Sequence, residues 1–422
     1  MDNATDNYPS SSVLRALQQL LEIKFPSQSF TYKLLPATKK GENYIGIVYR
    51  VAVKVNNKTG PCQWSLILKI PPRSPNRRKQ FFVRPCFLRE SLAYEEFLPM
   101  VKGFQNSKGI SKEHSFHEYA ECFQCLTDEF DEAIFLEDLG LQDFSLFDRF
   151  DELRFEHVAT VMRAYAKLHA VSFAIKDQDY SGGLEKFRKI QDIFEQRKGD
   201  PNLNYYFEGL KRSAEACMKA EDVMPKKVLI RFFERPFFDI FLDLIDGNKC
   251  EPYAVVCHGD CWNNNIMFKY EDAKLISLCL LDWQLLRYSS PLTDLMYFLF
   301  TCTSKEFRGL YYNDVLNVYY AELVLHINRL GSNPSKLFSR EIFEKELHRI
   351  GAVGLIFAMI VLPIITIKGD DVPNLEELSE QVEKGKSRDL KESGLLSEAN
   401  VATYGKRMRD VVIDCINFGY IK

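Results

Sequence analysis

The stretch 254–284 constrains this chain more than any other part of it. Three short apolar runs, residues 254–257, 266–268 and 275–281, are separated by a loop and by the turn Glu271-Asp272-Ala273-Lys274. Asp260 lies in the loop, Asn265 follows five residues later, and Asp282 comes seventeen residues after that, just beyond the third run. A hairpin brings its outer ends side by side, so Asn265 and Asp282 are expected to face one point in space with Asp260 close by. A carboxylate and an amide oxygen are hard donors of the kind that hold Mg²⁺ together with phosphate oxygens.

Taken singly these pieces are ordinary. An Asp-x4-Asn pair recurs by chance, and an aspartate after an apolar strand commonly serves as a turn or cap residue. Together they have the spacing of a kinase catalytic loop, in which the first carboxylate meets the acceptor hydroxyl and the other two groups hold the metal. Asp260 is therefore the candidate catalytic residue, with Asn265 and Asp282 as candidate Mg²⁺ ligands. His258, two residues before Asp260, reads as a hydrogen-bonded histidine that shapes the loop.

A nucleotide cover is expected upstream. The run Gly41-Glu-Asn43-Tyr-Ile-Gly46-Ile-Val48 keeps the first and third glycines and the valine of a G-x-G-x-x-G-x-V loop, with Asn43 replacing the middle glycine. Asparagine tolerates left-handed backbone, so the exchange is mild. Residues 44–55 and 64–70 are rich in β-branched and aromatic side chains around an Asn-Asn-Lys-Thr-Gly-Pro turn, which predicts a hairpin. Lys69 sits in the second of these strands, where a charge in an apolar run needs a partner. Glu90, early on a helix predicted over 87–100, is that partner, ahead of Glu95 and Glu96. A strand pair near 119–126 and 133–137 follows, and adenine is expected to be read by backbone groups near Glu137 to Leu139, where strands give way to helices.

A chain of 422 residues exceeds what one core serves well, so two lobes are expected. The fold class is α+β: a small β-rich N-terminal lobe over 1–136, a hinge at 137–140, and a large, mainly helical C-terminal lobe over 141–422 that contains the catalytic β-hairpin. A helix near 13–21 opens the chain, a central helix spans 154–176, a mobile loop is predicted over 369–400, and a last helix lies near 400–417. The net charge of −3, spread along the chain, offers no footprint for nucleic acid. Eleven cysteines without dense spacing, and an N-terminus lacking basic and apolar signal regions, point to a cytoplasmic location. The uncharged run 350–367 reaches eighteen residues but is interrupted by Pro363, and reads as a buried helix rather than a membrane span.

These residues resemble the ecdysteroid kinase-like family, also called CHK-like kinases, related to choline kinases and aminoglycoside phosphotransferases. The resemblance is carried by Gly41-Glu-Asn43, Leu68-Lys69-Ile70-Pro71-Pro72, Glu90 with Tyr94, Glu137-Asp138-Leu139, His169, His258-Gly-Asp260 with Trp262 and Asn265, and Asp282-Trp-Gln284 with Ser290-Pro291 and Asp294. It implies a protein-kinase-like two-lobed fold and ATP- and Mg²⁺-dependent phosphorylation of a hydroxyl on a small molecule, an ecdysteroid or another lipophilic alcohol. Trp283 and Cys261 depart from the family's usual phenylalanine and leucine, which bears on substrate detail rather than on the metal-binding groups. Only eleven residues separate Asp282 from Asp294, too few for the activation segment of a protein kinase. A pseudokinase that keeps the fold as a binding module is the alternative, and the intact Lys69, Glu90, Asp260, Asn265 and Asp282 argue against it.

Two other signals invite a site. His114, His117, Cys122 and Cys125 resemble a zinc set, but the interval is short for a finger, and cysteines three apart on a strand are expected to face opposite sides. The aromatic-rich run 231–241 suits either a lipophilic pocket or core packing.

Overall fold

The computed structural model describes residues 8–38, 45–57, 60–384 and 390–422. Helix α1 (Ser11–Lys24) starts where the Ser10 side chain accepts from the Val13 amide, and it turns Val13, Leu17 and Leu21 toward the first sheet. That sheet contains β1 (Ser29–Pro36), β2 (Ile47–Asn57), β3 (Gly60–Ile70), β4 (Cys122–Leu126) and β5 (Ala133–Glu137), in the antiparallel order β1-β2-β3-β5-β4. Alternating residues Val51, Val53 and Val55 on β2 and Leu66 and Leu68 on β3 pack into the cluster with α1, because the two-residue strand period sends them to one face. The predicted hairpin is thus present, extended by β1, whose Phe30, Tyr32 and Leu34 carry the same alternation and went unread in the sequence.

After β3 come a short helix α2 (Pro75–Gln80) and helix α3 (Val83–Leu92), which runs through a π turn (Ala93–Phe97) into α4 (Leu98–Ser107). Pro99, which cannot donate to the helical ladder, accompanies this irregularity. Helix α5 (Phe155–Asp177) is the predicted central helix of the second lobe and packs along the helix Lys305–Arg329. Helices Leu292–Cys302 and Val353–Ile365 complete the core.

The segment 254–289 folds with one correction. Strands β8 (Ile266–Glu271) and β9 (Lys274–Leu280) form the predicted hairpin, edged by β6 (Phe144–Leu146). The first apolar run, β7 (Val255–Cys257), pairs instead with β10 (Arg287–Ser289) as a separate ribbon. The loop holding Asp260 therefore spans two sheets.

Two further expectations change. The segment 369–400 is not simply a loop: Asn374 caps a helix, Leu375–Glu383, that docks on α2 through Arg77–Glu376 (3.1 Å) and Lys79–Glu383 (2.9 Å) ion pairs. Cys122 and Cys125 do not face apart, because a bulge between Cys122 and Gln124 shifts the register and leaves their sulfurs 3.6 Å from each other. In the run 231–241, Phe233, Phe237, Phe238 and Phe241 are core residues. The apolar run 350–367 forms the expected buried helix, Val353–Ile365, which follows a 52° bend after Ile350, and among the described residues no single helix is long and apolar enough to cross a membrane. The whole is an α+β fold with an antiparallel sheet in its N-terminal part and a larger, mainly helical C-terminal part.

His326, on the helix Lys305–Arg329, is fully buried, and neither ring nitrogen has a hydrogen-bond partner among the described residues. Burial pushes its pKa down to about 3, with Lys167 and Arg329 adding to the fall. A value depressed on folding means stability that is present above the unfolded value, near 6.5, and lost as pH drops below it. Taking the protein from pH 7 to pH 5 should cost about 2 kcal/mol at this site. A His326→Leu variant should escape that loss, as urea unfolding at the two pH values would show.

Candidate active site

Lys69 projects from β3 and Glu90 from α3, and the chain between them is long enough to bring the helix back across the sheet. The Lys69 ammonium lies 2.7 Å from Glu90 and 2.6 Å from Asp282. Glu95 and Glu96, the competing carboxylates, point to solvent, and Glu96 pairs with Lys186 instead. Burial opposes the charge on Lys69, but Asp282 and Glu90 more than offset it and raise its pKa. Burial pushes Glu90 up to about 7, with Asp282 and Asp260 adding to the rise and Lys69 resisting it. One ammonium between two carboxylates leaves the site net negative, so Lys69 keeps its proton.

Asp282 follows β9 with left-handed backbone (φ 59°), a conformation unfavourable for most side-chain-bearing residues and concentrated at functional sites. Asn265 ends the loop at the start of β8. Its side-chain amide donates to the Asp260 carbonyl (3.0 Å), and its backbone carbonyl accepts from the Leu281 amide (2.8 Å). The hairpin thus ties Asn265 to the residue preceding Asp282. A carboxylate and an amide oxygen suit Mg²⁺ better than a softer metal.

Asp260 is buried, and its two oxygens accept from the Gln284 side-chain amide (2.9 Å) and the Tyr297 hydroxyl (3.0 Å). Burial raises its pKa; Asp282 adds to this, while the Gln284 hydrogen bond, His258 and Tyr297 oppose it. The loop behind it is held by Asp294, which accepts from the amides of His258 (2.7 Å) and Gly259 (3.0 Å) and from His169 (3.2 Å). Gly259 has φ +86°, and a Cβ there would lie 2.0 Å from the Leu285 carbonyl oxygen, so only glycine fits. His258 bonds the Leu281 carbonyl (2.9 Å) and packs on Trp283, as its loop-shaping role requires.

Gly41 and Asn43 lie outside the described residues. Gly46 lies over Lys69, where an added Cβ would come within 3.0 Å of its Cε. At the junction of the lobes the Glu137 amide donates to the Glu121 carbonyl, while the Glu137 carboxylate takes the Glu121 amide and Gln142. Asp138, between the two predicted hinge residues, anchors them by accepting from Arg50 and Ser65 (both 2.6 Å). Leu139 joins a small apolar cluster with Ala120 and Cys279, against Met267 and Leu281.

Lys69, Glu90 and Asp282 are thus in direct contact, and Asp260, Asn265 and Asp282 line one cavity of about 540 Å³. Sequence reasoning assigned none of the other side chains to that cavity. Its walls include Phe81, Phe82, Phe194, Leu203, Tyr206, Phe357, Ile360, Leu378 and Val382, from segments far apart in the chain. It also missed Tyr297, whose only signal was its place in the apolar run after Asp294.

A sequence profile of the ecdysteroid kinase-like family matches residues 40–332. No curated protein sequence matches the chain. Among solved structures, a Plasmodium vivax ethanolamine kinase aligns with a TM-score of 0.38 and 12% identity, over 92% of this chain and 82% of that one. The GDP complex of aminoglycoside 2′-phosphotransferase-IIIa gives a TM-score of 0.42 and 10% identity, over 95% of this chain and 98% of that one. An aminoglycoside-3′-phosphotransferase of type VIII gives 0.30 and 13%, over 95% and 98% of the two chains.

Proposed function

The chain belongs to the ecdysteroid kinase-like family, and from that premise we propose that it transfers the γ-phosphoryl group of ATP, with Mg²⁺, to a hydroxyl of a lipophilic small molecule. The observation that carries this reading is the single ammonium of Lys69 held between Glu90 and Asp282 at the edge of a cavity that Asp260 and Asn265 also line.

In this reading the loop from Gly41 through Asn43 to Gly46 covers the nucleotide, and backbone groups of Glu137 and Leu139 meet its base beside the apolar cluster at the lobe junction. Lys69, oriented by Glu90, contacts the phosphates. Asn265 and Asp282 are the residues that would hold Mg²⁺, which when bound neutralises charge on phosphate oxygens. Asp260 orients the acceptor hydroxyl and takes its proton.

The cavity favours a neutral, apolar acceptor. Its volume of about 540 Å³ lies within the ~300–1,000 Å³ usual for small-molecule sites. Away from the catalytic end, the charged side chains along its walls are paired with one another, Lys79 with Glu383 and Arg197 with Asp200. Ecdysteroids and other lipophilic alcohols fit that description.

The test is mass spectrometry of a metabolite extract incubated with the full chain, ATP and Mg²⁺, scanning for products heavier by one phosphoryl group. EDTA should abolish product formation and excess Mg²⁺ restore it. Nucleotide binding without any product would favour the pseudokinase instead.

A further inference from the structure

Both oxygens of Asp260 are already hydrogen-bonded before any acceptor arrives, and the donor on one of them is Tyr297, one turn beyond Asp294 on the helix Leu292–Cys302. We propose that Tyr297 is a positioning residue, whose hydroxyl, together with the Gln284 amide, fixes the Asp260 carboxylate in the orientation that receives the acceptor hydroxyl. The inference rests on the reading of Asp260 as the catalytic carboxylate.

The support for Tyr297 is built in depth. It lies at the middle of the wholly buried helix Leu292–Cys302 and lines the cavity. Its ring stacks on Phe357, with centroids 4.2 Å apart and planes within 9°. The Arg287 guanidinium lies 5.4 Å from the Phe357 centroid, and Arg287 is itself paired with Asp192 (3.1 Å). Phe241 meets Phe357 edge-on. A ring held this way has little freedom, so its hydroxyl presents a fixed donor 3.0 Å from one Asp260 oxygen.

The consequence for Asp260 is geometric. A carboxylate offers about two lone-pair directions on each oxygen. One donor on each oxygen stops rotation of the group and leaves one direction per oxygen for the incoming hydroxyl. Without the Tyr297 hydroxyl, Gln284 is the side-chain donor left on the carboxylate among the described residues, and the oxygen that Tyr297 held can swing. Displacements near 1 Å at a reacting group cost on the order of 100-fold in rate.

The experiment compares wild type, Tyr297→Phe, Phe357→Leu and Asp260→Asn as full chains, using the metabolite extract as acceptor source at serial dilutions. For each, the maximal rate of phosphorylated product, the half-saturating dilution, the affinity for a fluorescent ATP analogue and the melting temperature are measured. Tyr297→Phe should lower the maximal rate about 10- to 100-fold, with the half-saturating dilution, nucleotide affinity and melting temperature close to wild type. Phe357→Leu, which keeps the hydroxyl but loosens the ring, should lower it less. Wild-type rate in Tyr297→Phe, while Asp260→Asn is inactive, overturns the positioning role alone. So does a rate loss matched by losses in nucleotide affinity and melting temperature, since that is the behaviour of a structural residue. No transfer by wild type, or undiminished transfer by Asp260→Asn, overturns the proposed function and this inference with it.

Discussion

Asp260→Asn is expected to lower phosphoryl transfer by about 10²- to 10⁴-fold, the range that positioned general acid–base groups supply, while leaving the fold at least as stable as wild type. The substitution keeps shape but removes the charge that, in the proposed function, orients the acceptor hydroxyl and takes its proton. Its neighbours can adapt: the Tyr297 hydroxyl can rotate to accept from the new amide, and the Gln284 amide can still donate to the remaining oxygen. The wild-type carboxylate is unfavourably placed, because burial, with Asp282 adding, raises its pKa against the pull of Gln284 and His258. A carboxyl raised on folding loses stability as pH climbs from its unfolded value through its folded one. An asparagine has no such loss, so thermal melts at neutral pH should show no deficit while the transfer assay shows the full one.

Lys69→Met should give the opposite signature, a large loss of both activity and stability. Removing the ammonium strands Glu90, which is fully buried and has one oxygen with no partner among the described residues. Breaking a buried pair from one side costs about 3–5 kcal/mol. Glu90 already sits at about 7 through burial with Lys69 present, and without Lys69 it moves higher. A carboxyl raised in this way is tolerated when protonated and penalised when ionised. The stability deficit should therefore be smaller at pH 5.5 than at pH 8, as read by urea unfolding. Replacing Glu90 by leucine as well should recover much of the stability, since apolar substitutes for buried pairs are often neutral. Activity should stay lost, which separates the role of the pair in the fold from the role of the ammonium toward phosphate.

What could be read from the sequence was local or strongly patterned. Asp260, Asn265 and Asp282 were legible because a hairpin of predictable length brings them together, and Lys69 because a charge in an apolar strand demands a partner. The choice of Glu90 over Glu95 and Glu96 followed from its earlier place on the helix, and the structure pairs it with Lys69. The pairing of β7 with β10 was not legible, since three-residue strands carry little pattern and only tertiary contact selects their neighbour. The helix Leu375–Glu383 was hidden by its charge, which complements α2 and looks like a solvated loop when read alone. Cys122 and Cys125 were misplaced because a bulge shifts strand parity and leaves no reliable mark in the residues around it. Asp294, Gln284 and Tyr297 meet the loop 258–260 from other parts of the fold, so these contacts emerge only when the elements are assembled.

The helix Leu375–Glu383 docks against α2, and Asn76, Lys79 and Gln80 from the Lys69 side of the molecule line the same cavity as Asp260, so under the proposed function both sides would enclose the acceptor. Two ligands that share such a boundary are thermodynamically linked. Whatever factor the acceptor adds to the grip on nucleotide, nucleotide must return in equal measure to the acceptor. Under the proposed function, the far C-terminal part of the chain, remote in sequence from Lys69 and Asp260, would thereby gain a say in how tightly the triphosphate is held.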